Sequence, residues 1–218
     1  MLKPLAVLIV ITGALLTAGC LQKETSHTLY LAPDGSVEWL TSETNVRSTE
    51  TDAAKQMAEE QGYIGGVWVQ THGVARGLAA LGPVGVVQTT VVRDRRPFHV
   101  VTSANFTALD RVFVRLFTEM GISTSATLER GADDNTLRVR LDFARQVEER
   151  ETPVSELGDN IEHLRIVLTN GRFATVSGFD VVDGTSATLS AEWLDQVEKA
   201  YERKGTIEFM LSWSVANR

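Results

Sequence analysis

Cysteine is nearly absent from this chain of 218 residues: Cys20 stands alone, so no disulfide can form within it. Positive charge is also short. Lys and Arg number 21 against 28 Asp and Glu, a formal net charge of −7. That balance excludes the basic footprint of a nucleic-acid binder, and it argues against adhesion to anionic lipid by charge alone. Long apolar runs are missing as well. The apolar run Leu5–Leu16, which carries no charge, has twelve residues. As a helix at ~1.5 Å per residue it reaches ~18 Å, short of the ~30 Å hydrocarbon core of a bilayer. Catalytic signatures are equally scarce. The sequence has no HExxH, no GxSxG elbow, no SxxK pair and no phosphate loop ending in GK[ST].

What is present begins with an ordinary composition, 43 % hydrophobic and 22 % charged, enough to bury a core without staples. Lys3 precedes the apolar run, and Thr17, Ala18, Gly19 and Cys20 follow it. A positive start, a short apolar stretch and small residues before a cut describe a secretory signal peptide over residues 1–19. Leu16-Thr17-Ala18-Gly19-Cys20 resembles the lipobox of bacterial lipoproteins, with Thr17 where leucine is commonest. The resemblance implies a diacylglycerol thioether on Cys20, cleavage before it, and acylation of the new amino group. Two or three acyl chains anchor stably where one does not. The competing reading is a buried cysteine ending an ordinary helix.

The resemblance further implies a location in the cell envelope. Leu21 and Gln22 follow the cysteine where an inner-membrane retention signal would place aspartate. The expected address is therefore the periplasmic face of the outer membrane, in a source that has one. Residues 20–27 are expected to be the lipidated cysteine and a polar tether, and residues 28–218 a single domain. Losing Lys3 with the leader leaves 20 basic and 28 acidic side chains, a net −8.

Hairpins dominate the pattern of the domain. Thr28–Leu31 and Val37–Val46 flank the turn Pro33–Ser36, with Val37, Trp39 and Thr41 on one face. A helix is expected from Asp52, broken near His72-Gly73 and ended by Gly82-Pro83. Val84–Arg93 and Phe98–Ala104 form a second hairpin around Asp94–Pro97. The stripe Leu109, Val112, Phe113, Leu116, Phe117 and Met120 marks a helix, with Thr107 and Asp110 as an approximate capping box. A third hairpin pairs 122–130 with 136–143. Residues 144–160 read as a loop or loosely packed helix. Asn170-Gly171 predicts a tight hairpin between Leu164–Thr169 and Arg172–Val176, and Asp183-Gly184 marks another. Ser190 caps a last helix ending at Gly205, and Thr206–Val215 closes the sheet.

The expected class is α+β: a largely antiparallel sheet built from hairpins, with helices packed on one face as a two-layer sandwich. Two ββα units follow one another, without a residue-level repeat. The opening hairpin is faintly similar to uncharacterised envelope lipoprotein domains of the LppM-like kind. That similarity implies an α+β envelope module, lipid-handling at most, and transfers no site residue.

Candidates for chemistry each have a plainer reading. His27 falls in the tether and His72 at a helix break; no pair among His27, His72, His99 and His163 has metal-ligand spacing. Glu59-Glu60 fits a wet helix face. Asp133-Asp134-Asn135 fits a turn better than a calcium loop. Trp39, Trp68, Trp193 and Trp213 fall on apolar faces and read as core. Arg93, Arg95 and Arg96 form the one local positive patch, either a solvated turn or a contact for phosphate, a lipid headgroup or an acidic partner. No catalytic residue, metal or cofactor is assigned. The expected function is a non-enzymatic module held by the Cys20 lipid, binding an envelope protein or an amphiphile. The alternatives are a structural or assembly factor of an envelope complex, and a hydrolase with a dispersed site. An amphiphile binder predicts an apolar cavity between sheet and helices.

Overall fold

The computed structural model describes residues 21–146, Val154, Leu157 and residues 161–214. The leader and Cys20 lie outside these, as does most of 147–160. Strands β1 (Leu21–Leu31) and β2 (Val37–Ser48) open the fold as the expected hairpin, but β1 begins seven residues early. Residues 21–27 are therefore strand, and not a tether. Thr25, His27, Leu29 and Leu31 alternate as buried side chains along it, and polar groups at the first two positions disguise the period of two.

Two helices follow. Asp52 caps α1 (Ala53–Trp68), accepting from the Ala54 and Lys55 amides at 3.0 and 2.9 Å. The chain breaks where expected, and α2 runs Gly73–Ala80. Strands β3 (Val84–Arg93) and β4 (Phe98–Phe106) form the second hairpin. Helix α3 (Leu109–Glu119) buries five of its six expected apolar residues; its N-cap is Ala108, so the Thr107–Asp110 capping box does not form. Gly121, at φ +81°, ends it. Strands β5 (Ile122–Arg130) and β6 (Asp134–Gln146) pair next. Of the expected loop, 144–146 belong to β6, while Val154 and Leu157 are buried in the core.

A 3₁₀ turn (Ile161–His163) leads into β7 (Leu164–Leu168), followed by β8 (Phe173–Ser177), β9 (Phe179–Val181) and β10 (Ser186–Leu189). Ser190 caps α4 (Ala191–Glu202), its hydroxyl accepting from the Trp193 amide at 3.1 Å. Strand β11 (Thr206–Ser214) closes the fold.

The class is α+β with mostly antiparallel strands, as expected, but the strands form two sheets instead of one. The larger has the order β3-β4-β2-β1-β7-β10-β9 and the smaller β5-β6-β11-β8. Strand β1 pairs antiparallel with β2 and parallel with β7, which places the 3₁₀ turn and β7 beside the opening strand. The Asn170-Gly171 turn is present, but it joins different sheets: β7 stays in the larger and β8 pairs with β11 in the smaller. Leu137, Val139, Leu141 and Phe143 of β6 face inward with Ile207, Phe209, Leu211 and Trp213 of β11. Phe209 meets Phe113, Phe179 and Trp193 edge-on at 5.3–5.5 Å between ring centres. One hydrophobic core joins both sheets. Trp68 is the exception among the tryptophans: it is 67 % exposed, at the end of a helix whose buried residue is its neighbour Val67.

Candidate functional site

The inner face of the larger sheet changes character along the strands. Across β1, β2 and β4 the register aligns Leu31, Val37 and Phe106, then Leu29, Trp39 and Ala104, then His27, Thr41 and Thr102. The next row holds Thr25, Glu43 and Val100. The apolar rows meet the core, and the polar rows are buried too, beneath α1 and α2.

Glu43 anchors this polar cluster with its side chain only 1 % exposed. Lys23 donates to one carboxylate oxygen at 2.7 Å and the Tyr63 hydroxyl to the other at 3.1 Å. His72 Nε2 lies 3.7 Å from Glu43 and 3.1 Å from the Thr102 hydroxyl. Its ring also meets Tyr63 edge-on. In the neighbouring row the Trp39 indole donates to His27 Nδ1 at 3.3 Å, and the Thr41 hydroxyl lies 3.0 Å from the same nitrogen. An indole N–H only donates, so Nδ1 accepts and the ring proton sits on Nε2. Histidines expected in the tether or at a mere helix break are thus buried, His72 in the Glu43 cluster and His27 in a neighbouring group with Trp39 and Thr41. Their strand partners carried no local signal of it.

This network is a structural clamp in its chemistry. Its carboxylate is saturated by a cation and a hydroxyl, and its members hold helices onto a sheet. The pair with nucleophile-and-base geometry lies on the opposite, outer face, where Ser42 Oγ and His99 Nε2 are 3.0 Å apart. No carboxylate among the described residues bonds the other His99 nitrogen, so the third member of a triad is missing there. No group of three His, Cys, Asp or Glu among the described residues could hold a metal ion. Asn135 of the acidic turn is buried and donates to the Pro33 carbonyl at 2.6 Å, joining the β5–β6 turn to the β1–β2 turn.

Two aspartates have lowered pKa values, both from hydrogen bonds made inside turns. Asp34 accepts from the Ser36 hydroxyl and amide. Asp183, brought to about 2, accepts chiefly from the Thr185 hydroxyl and amide and also from Ser186.

One apolar cavity lies among the described residues, and it is small. The interior cavity lined by Phe113, Phe117, Leu164, Trp193, Val197 and Phe209 holds about 20 Å³, against ~300–1,000 Å³ for a ligand pocket. One water would fill it. An open groove of about 320 Å³ runs along α4 and the start of β11, lined by Gln196, Lys199, Arg203 and Thr206.

The three arginines have different fates. Arg96 is engaged: its guanidinium reaches Glu60 at 3.1 Å, Gln56 at 2.8 Å and the Ser48 carbonyl at 3.1 Å. Glu59 and Glu60, expected on a wet face, are half-buried and accept from the Ser48 hydroxyl and amide. Arg93 and Arg95 are exposed, and neither guanidinium has a hydrogen bond or ion pair to a described residue.

No family model matches the chain, and no curated protein sequence matches it. Among solved structures, the folded domain of the Mycobacterium tuberculosis LppM protein, determined by NMR, aligns with a TM-score of 0.36 and 8 % identity. The alignment covers 94 % of this chain and 95 % of that one. A likeness at this level transfers neither a site residue nor a role.

Proposed function

We propose that the chain is a lipid-anchored cell-envelope protein whose domain serves as a docking module for a protein partner. The carrying observation is the leader itself: a charged start, twelve apolar residues and Leu16-Thr17-Ala18-Gly19-Cys20, with no other cysteine anywhere. A 20 Å³ interior cavity cannot enclose an acyl chain, which counts against the amphiphile-carrier version. The Ser42–His99 pair without an acid counts against a triad hydrolase. The turns at the end of β1 remote from Cys20 carry Asp34, Asp133 and Asn170, all exposed, and they offer polar, hydrogen-bonding surface to a partner. Ten steps of strand at ~3.3 Å set that end ~33 Å from the anchor.

Expression of the full precursor as wild type and as Cys20→Ser, followed by membrane fractionation, tests the reading. Wild type is expected in the membrane fraction after detergent-free washing at high salt. Cys20→Ser is expected to stay uncleaved at this site. A Cys20→Ser chain processed and sorted like wild type would refute the anchor.

A further inference from the structure

We propose that the Arg93–Pro97 hairpin tip, through Arg93 and Arg95, rests against the phosphates of an anionic lipid surface and fixes how the domain stands on its membrane. The inference depends on the lipid anchor at Cys20 proposed above, and it starts from the lack of slack after that residue. Strand β1 begins at Leu21, whose Cα partner is Ser48. One residue of chain spans at most ~3.6 Å, so a thioether at Cys20 brings the Leu21–Ser48 end of the sheet to the headgroups.

The hairpin tip occupies that same end. Arg96 donates to the Ser48 carbonyl at 3.1 Å, and Val46 pairs with Phe98 just past the turn. Glu60 and Gln56 hold the Arg96 guanidinium against α1. Arg96 therefore acts as the peg of the tip, and its two neighbours remain exposed. A guanidinium is suited to a phosphate because its fork gives two parallel N–H donors to two oxygens. Val92 on the same hairpin is 57 % exposed and Met57 on α1, next to Gln56, is 61 % exposed. Both can enter the boundary between headgroups and acyl chains. Arg47, one residue before Ser48, adds a third exposed cation and is held by Gln22 at 3.1 and 3.2 Å.

The same end also carries Glu50, Asp52 and Asp94, and the whole chain is acidic. A long-range field would therefore not draw this protein to anionic lipid. The contact proposed is short-range and intramolecular in kind. The anchor supplies a high effective concentration, so pairwise arginine–phosphate bonds suffice to orient the domain without recruiting it.

The test uses the full lipoprotein extracted from membranes, with mass spectrometry reading the Cys20 modification first. With Cys20 blocked by lipid, an introduced thiol is the sole site for a fluorophore. Thr51→Cys places the dye at the proposed contact end, and Asp133→Cys places it at the remote turns. Each is reconstituted in vesicles of phosphatidylcholine alone or with one third phosphatidylglycerol, containing a quencher on the lipid headgroup. Quenching at Thr51→Cys is expected to exceed that at Asp133→Cys and to rise with phosphatidylglycerol. Each basic residue at an anionic surface is worth about fivefold. Arg93→Gln with Arg95→Gln should thus cut the docked-to-undocked ratio about 25-fold and erase the dependence on phosphatidylglycerol. Equal quenching at both dyes, or quenching at Thr51→Cys that ignores lipid charge and the double substitution, would overturn the headgroup contact while the anchor stands. An unmodified Cys20 would overturn both.

Discussion

At Glu43 a carboxylate sits in the interior with two hydrogen-bond donors, Lys23 and Tyr63, and with His72 close by. Removing a partner from such a set leaves charge buried without compensation, at a cost of about 3–5 kcal/mol. Glu43→Ala takes the buried charge away and leaves only the exposed Lys23 charged, so it should cost less than that, about 1–3 kcal/mol in urea denaturation, for the acceptor lost to Tyr63. Glu43→Gln should lose less, because its amide oxygen still accepts from Tyr63. A loss under about 1 kcal/mol for Glu43→Ala would mean that the cluster is solvated. Residue identity alone hid this cluster. Thr25, His27, Glu43 and His72 are polar residues that usually face water; the register of β1 against β2 puts the first three on one buried face, and the helix break brings His72 onto it. The arginine patch was legible as three charges, but that Arg96 is spent on Glu60 and Ser48 depended on contacts between remote elements.

Among the elements, local signals located boundaries better than partners. The Asp52 and Ser190 caps, the break before Gly73 and the five apolar residues of α3 were readable because each is set within one or two helical turns. Asn170-Gly171 was readable as a turn and misleading as a hairpin. Gly171 takes φ +91° as such a turn requires, yet the strand after it joins β11. Ser214 donates its amide to the Arg172 carbonyl at 2.8 Å. A Cβ on Gly171 would come within 2.0 Å of the Ser214 carbonyl oxygen, whereas one on Gly184, at φ +78°, would meet nothing within 4 Å. Gly184→Ala should therefore cost about 1–2 kcal/mol from backbone conformation alone. Gly171→Ala should cost about 1–3 kcal/mol more from the clash. Thermal or urea denaturation of the two variants checks this, and equal losses would mean that β8 and β11 separate without penalty.

Over the whole molecule, hydrophobic alternation revealed an antiparallel α+β fold but not its division into two sheets. Alternation tells which face of a strand is buried, and it is silent on which neighbour lies beside it. Here the inner faces of β6 and β11 meet α3, α4 and the larger sheet in one core. The proposed function rests mainly on the leader, where the chemistry of a lipid anchor needs residues adjacent in sequence. The proposed docking surfaces are assembled from distant segments and had no such signature. The proposed orientation of the domain follows from joining the two: the proposed anchor at residue 20 and a strand that starts at residue 21. The account is tested most directly by mass spectrometry of the amino-terminal peptide of the protein extracted from its own membranes. It predicts a mature chain that starts at Cys20 and carries a diacylglycerol thioether, so that β1 emerges from the bilayer surface. A chain that retains residues 1–19, or starts elsewhere with a free Cys20 thiol, would contradict it.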